Sequence, residues 1–84
     1  MTDNKNYFIR ITPRKAIHSR KINRIYHYKN DQCMTIQYVK LEMFVPGRGT
    51  YNYSEDYSFC RDQNEQLFEE ITKEFSSSHA WKDM

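Results

Sequence analysis

Two leucines and two alanines are all the small and branched aliphatics of those types in this 84-residue chain, and glycine and proline are as scarce at two each. An ordinary leucine-rich core is thereby excluded. Seven Tyr and five Phe stand in its place, so the interior is expected to be built from aromatics and Ile, with tyrosine hydroxyls reaching the surface. No segment approaches the roughly 18 to 20 apolar residues of a membrane span, and MTDNKNYF lacks the apolar stretch of a secretory leader. The sequence is therefore read as that of a protein that stays in the cytoplasm, without membrane contact. Cysteine is limited to Cys33 and Cys60, which argues against a disulfide framework and for reduced thiols.

Catalytic and metal signatures are missing as well. His18, His27, His79, Cys33 and Cys60 include no pair at the two- to five-residue spacing that zinc favours. No motif singles out a nucleophile with a base, so neither an enzyme nor a cofactor is expected. The run Pro46-Gly47-Arg48-Gly49 lacks the Lys-Ser/Thr ending of a phosphate-cradling loop. It reads instead as a hairpin tip that presents Arg48.

Acidic residues are absent from Arg10 to Lys29, a stretch holding Arg10, Arg14, Lys15, Arg20, Lys21, Arg24 and Lys29. From Glu55 onward the balance reverses, with eight acids against Arg61, Lys73 and Lys82. The net charge of +2 thus conceals a dipole along the sequence. Tyr26, His27 and Tyr28 interleave with the basic residues, and such a segment suits a polyphosphate backbone with rings free to stack on unpaired bases.

What is present organises around Cys33 to Phe59. Two extended runs, CMTIQYVKLEMF and YNYSEDYSF, flank VPGRGT, where Pro46 fixes one backbone angle and Gly47 and Gly49 can take positive φ. Within the first run Met34, Ile36 and Tyr38 share one parity but Val39, Leu41 and Met43 the other. One extra residue near Tyr38-Val39, a β-bulge, would restore a single buried face. Tyr51, Tyr53, Tyr57 and Phe59 share a parity in the second run and read as a ladder of core rings.

Around this hairpin, Tyr7 to Thr12 alternates as a first strand ended by Pro13, and Arg14 to Ser19 reads as a helical turn or a basic loop. Lys21 to Lys29 is β-branched and aromatic enough to favour a strand, followed by an Asn30-Asp31 turn. Met1 to Lys5 is polar and expected to be mobile. Asp62-Gln63-Asn64-Glu65 has the form of a capping box, opening a helix from Gln63 to about Ser76 with Leu67, Phe68, Ile71 and Phe75 on one stripe. Trp81, in the tail His79 to Met84, either folds back on the sheet or anchors a partner.

The expected fold is one α+β domain, residues 1–84, in which an antiparallel sheet of three to four strands packs on one C-terminal helix. Its order of elements is similar to that of integrase arm-binding, plant AP2 and double-stranded-RNA-binding domains, a likeness of fold alone. The helix EQLFEEITKEF lacks the lysine-rich start that the RNA-binding family uses.

The functional expectation is a small non-catalytic protein engaging nucleic acid or a nucleoprotein through Arg10, Arg14, Lys15, Arg20, Lys21, Arg24, Tyr26, His27, Tyr28, Lys29, Arg48 and Trp81. The alternative is an inhibitor or adaptor that binds a host protein. The abundance of Phe, Tyr, Met, Ile, Asn and Lys is that of AT-rich coding DNA, common in phages, mobile elements and low-GC bacteria.

Overall fold

The computed structural model describes residues 8–84; the readings for Met1 to Lys5 and for Tyr7 lie outside them. The strands are β1 (Phe8–Thr12), β2 (Lys15–His18), β3 (Ile22–Tyr28), β4 (Cys33–Val45), β5 (Gly49–Cys60) and β6 (Trp81–Asp83). One helix, α1 (Glu65–Phe75), stands between β5 and β6. Strands β5-β4-β3-β6 form the main sheet, while β1 and β2 pair as a separate ribbon. The α+β arrangement matches the expectation, but the sheet is mixed: β6 runs parallel to β3, pairing Ile25 with Trp81 and His27 with Asp83. A parallel return is what a strand gains by arriving after a helical crossover.

The core lies between the main sheet and a second layer made of α1 and the β1–β2 ribbon. Ile25, Met34, Ile36, Tyr38 and Phe59 come from the sheet, Leu67, Phe68 and Ile71 from the helix, and Ile9, Ile11 and Ile17 from the ribbon. Each such side chain contributes roughly 1.5–3 kcal/mol by leaving water. The ribbon corrects the sequence reading of Arg14 to Ser19. Pairing of Ala16 with Arg10 and Ile17 with Ile9 buries Ile17, and the turn that follows, Ser19–Lys21, is a single 3-10 turn. Burial of one isoleucine thus outweighs the local preference for a helical or irregular path.

In the main hairpin β4 pairs with β5 from Cys33↔Cys60 to Val45↔Gly49, with the register slipping between Val39 and Leu41. Lys40 is the extra residue. The bulge puts Leu41 opposite Tyr53 and Met43 opposite Tyr51, on the same side as Met34, Ile36 and Tyr38, as the parity change implied, whereas Val39, paired with Ser54 before the slip, stays on the reverse side. At the tip Gly47 and Gly49 have φ of 83° and 97° with nothing near the position of an added Cβ, so conformation alone calls for glycine there.

Helix α1 starts later than Asp62 implied. Asn64 is its N-cap, its side-chain oxygen accepting from the Leu67 amide at 3.1 Å. Gln63 instead accepts the Cys60 amide at 2.7 Å and holds the preceding turn closed. A capping side chain two residues nearer the helix satisfies the same class of orphan donor. Leu67, Phe68 and Ile71 are buried, with Phe75 packed beside them.

The expectation of reduced thiols is also corrected. Cys33 and Cys60 are directly opposed across β4 and β5 and joined by a disulfide. Composition could not disclose this, because the pairing is set by the hairpin register over a separation of 27 residues. No helix among the described residues is long and apolar enough to cross a membrane.

Candidate functional site

Two surfaces stand out once the layers are in place. The first is the face of the main sheet turned away from α1. Across it the register sets Asp56, Gln37 and Arg24 in one rung, Ser58, Thr35, Tyr26 and Lys82 in the next, and the Cys60–Cys33 bridge with Tyr28 in a third. None of these residues is buried; Tyr28, Arg24 and Lys82 are exposed, and Tyr26 is half-buried. Thr35 and Ser58 join their hydroxyls at 2.8 Å, tying the middle of the face together. No described residue closes over this surface. It offers two phenol rings flanked by two cations, with Asp56 the lone carboxylate in those rungs.

A bulge between Ile22 and Arg24 decides which way β3 faces. Because of it Ile22 packs on the core, while Arg24, Tyr26 and Tyr28 face out and Ile25 and His27 face in. His27 therefore leaves the proposed set of outward residues. Its Nδ1–H donates to Asp83 Oδ1 at 3.0 Å, and its ring lies against Phe68 and Trp81. Trp81 folds back on the sheet, its indole Nε1–H also donating to Asp83 at 3.1 Å. With the Lys29 ammonium 3.9 Å from its other oxygen, Asp83 has two hydrogen-bond donors and a positive charge nearby. These, led by His27, hold its carboxyl below the ordinary carboxylate range.

The remaining basic residues do not converge. Lys15 reaches Tyr38 Oη at 3.1 Å and Glu55 Oε2 at 3.3 Å, and Lys40 lies 3.3 Å from the other oxygen of Glu55. The hydrogen bond with Tyr38, then that with Glu55, raises the Lys15 ammonium above its usual value, and the Lys15 bond is the main cause of the lowering at Glu55. Lys21 is paired with Glu42 at 2.9 Å. Arg10 donates to the Pro13 carbonyl, Arg14 sits at the ribbon turn, Arg20 in the 3-10 turn and Arg48 at the tip of the main hairpin. Among the described residues the ion pairs of the basic segment are made with Glu42, Glu55 and Asp83. The acids of α1 near its start serve Arg61, which contacts Glu65 and Glu69 and lies 4.5 Å over the Phe68 ring.

The second surface is the outer half of the main hairpin, beyond Tyr38 and Glu55. On the side continuous with the core, Leu41, Met43, Tyr51 and Tyr53 are 52%, 41%, 43% and 54% exposed. Phe44 is exposed on the reverse side. The tyrosine ladder is thereby divided: Tyr57 and Phe59 stack at 5.6 Å within the packed half, whereas Tyr51 and Tyr53 face solvent. The described second layer ends near Lys15, and no described residue covers them. Contiguous apolar surface of this kind marks an interaction site more often than chance.

Chemistry of other kinds finds little here. No group of three His, Cys, Asp or Glu side chains is arranged around a metal-sized space among the described residues. His18 accepts the Arg20 amide through Nδ1, capping the 3-10 turn, and His79 lies exposed in the turn before β6. Sequence reasoning passed over Lys82 and the exposed hairpin end. Alternation of Trp81, Lys82 and Asp83 was the available signal for the first; nothing local signals the second. No family model, curated protein or solved structure matches this chain.

Proposed function

We propose that the chain is a small non-catalytic binding protein whose open sheet face engages nucleic acid or a nucleoprotein, with unpaired bases as the preferred target. The observation that carries this reading is the set of adjoining rungs in which Tyr26 and Tyr28 lie beside Arg24 and Lys82 on an uncovered face. Rings at that spacing offer stacking platforms, and the flanking cations offer contacts to the phosphate backbone. Single strands suit a flat surface of this kind better than a duplex, whose bases are already stacked.

Titration of labelled single-stranded and duplex DNA and RNA against salt tests the reading. With about two phosphates contacted, by Arg24 and Lys82, log K for a single strand is expected to fall with a slope of about −1.4 against log salt. Tyr28→Ala should weaken single-strand binding by about tenfold, a loss near the lower end of base–aromatic stacking. Absence of binding at roughly 50 mM salt, where the electrostatic contribution is large, would remove the proposal.

The exposed end of the main hairpin favours a second reading: an inhibitor or adaptor of phage or mobile-element type that grips a host protein through Leu41, Met43, Tyr51 and Tyr53. Partners retained after nuclease treatment, and lost with Tyr53→Asp, distinguish it from the first.

The cytoplasmic setting we infer from the sequence pulls against the disulfide, since thiols there are held reduced. In that setting Cys33 and Cys60 stand as an adjacent thiol pair, and quantifying free thiols in protein trapped by alkylation decides between the two states.

A further inference from the structure

We infer that two copies of this chain pair edge to edge through β5, antiparallel and centred on Asn52, to extend the main sheet across a two-fold axis. The two edges of that sheet are built differently. Strand β6 closes one with three residues, whereas β5 leaves twelve residues of backbone, Gly49–Cys60, with no neighbouring strand on its outer side among the described residues. A long uncovered edge is a template for another strand, and natural sheets usually shorten, charge or bend such an edge. Here the acid that would guard the middle of it, Glu55, is occupied by Lys15 and Lys40.

The strand is self-complementary about Asn52. An antiparallel partner centred there sets Tyr51 opposite Tyr53 of the second copy, Thr50 opposite Ser54 and Gly49 opposite Glu55, and it brings Arg48, the turn residue just before the strand, alongside Asp56. A two-fold axis repeats every pair. Three of the four pairs are aromatic with aromatic, hydroxyl with hydroxyl, and cation with carboxylate, the combinations that favour cross-strand contact, and the fourth sets Gly49, with no side chain, beside Glu55. Each pair also joins residues of the same parity, so the sides of the two sheets stay matched. Arg48 and Asp56 are the informative pair. Both are exposed, and among the described residues neither has an oppositely charged partner within its own chain. Centring the contact one residue either way separates them and sets unlike groups opposite Tyr51 or Tyr53.

Sedimentation equilibrium over a range of concentrations tests this with the full chain and two charge reversals, Arg48→Asp and Asp56→Arg, at positions far from the core. The wild type is expected to dimerise. Each reversal converts two attractions into repulsions and should weaken the dimer by about tenfold or more. An equimolar mixture of R48D and D56R should associate more tightly than either alone, because both symmetry-related contacts are then attractive. The double variant should recover as well. The inference is overturned by a monomer at every concentration up to about 1 mM, the range of the weakest specific contacts. It is equally overturned by a dimer indifferent to the single reversals, or by a mixture no tighter than its components.

Discussion

The inner and outer halves of the main hairpin share strands, register and alternation, yet one is core and the other is surface. In the inner half Met34, Ile36, Tyr38 and Phe59 are covered by α1 and the β1–β2 ribbon. In the outer half Leu41, Met43, Tyr51 and Tyr53 occupy the same side of the same strands with no described residue above them. Alternation therefore states which side of a strand is apolar, and the reach of the second layer decides whether that side is buried. Apolar residues past that reach are free for association.

The comparison is broken most directly by truncating one residue in each half. Ile36, with 0% exposure, should cost about 3–4 kcal/mol on Ile36→Ala, from lost transfer energy and the cavity left behind. Leu41→Ala should change the stability of the monomer by less than about 1 kcal/mol. Urea unfolding at low concentration reads both, and equal losses would mean that the outer half is covered after all. Next in size is the bridge at the base of the hairpin. Cys33→Ser with Cys60→Ser is expected to lower stability by about 3.5 kcal/mol, the loss for freeing a loop of this length, and to loosen the packed half first. Amide hydrogen exchange in β4 and β5 would follow it.

A smaller effect tests what holds the cover in place. Asn64→Ala should cost about 1 kcal/mol in thermal or urea unfolding through loss of the α1 cap, while Asp62→Ala should stay within about 0.5 kcal/mol. The reverse order would restore the capping frame expected from the sequence. Smallest is the response to acid at the boundary between the halves. The folded-state value of Glu55 is lowered, chiefly by Lys15, so its contribution is complete above the ordinary carboxylate range and lost as the pH falls through the lowered value. Asp83 follows the same sign. Acidification below the ordinary carboxylate range should therefore loosen Lys15 and the tail together, seen as a change in Trp81 fluorescence before global unfolding; Glu55→Gln should remove the part due to Glu55.

Much of the architecture was legible because it is written in local periods. The parity change between Tyr38 and Leu41 disclosed the bulge, the two glycines disclosed the tip, and the stripe Leu67, Phe68, Ile71 disclosed the helix face. Features that depend on distant partners were not legible. Ile17 becomes a strand residue only by pairing with Ile9, Cys33 finds Cys60 only through the hairpin register, and β6 exists because a parallel edge beside β3 was vacant. The candidate site divides along the same line. Alternation separates Tyr26 and Tyr28 from His27 once β3 is read as a strand, but charge counted along the chain said little about charge in space. Lys15, Lys21 and Lys29 meet carboxylates from β5, β4 and β6, none of them adjacent in sequence.

Lys40 adds one residue to one strand without adding a rung, so it sets the aim of everything beyond it. A bulge increases the local twist of the ribbon, so the direction in which the outer half runs depends on a single exposed lysine. Deleting that lysine would return β4 to plain alternation with Leu41 and Met43 still on their original side. The same chemistry would then point elsewhere. Evolution could thus reorient this surface in a single step, leaving the interior and its stability almost untouched.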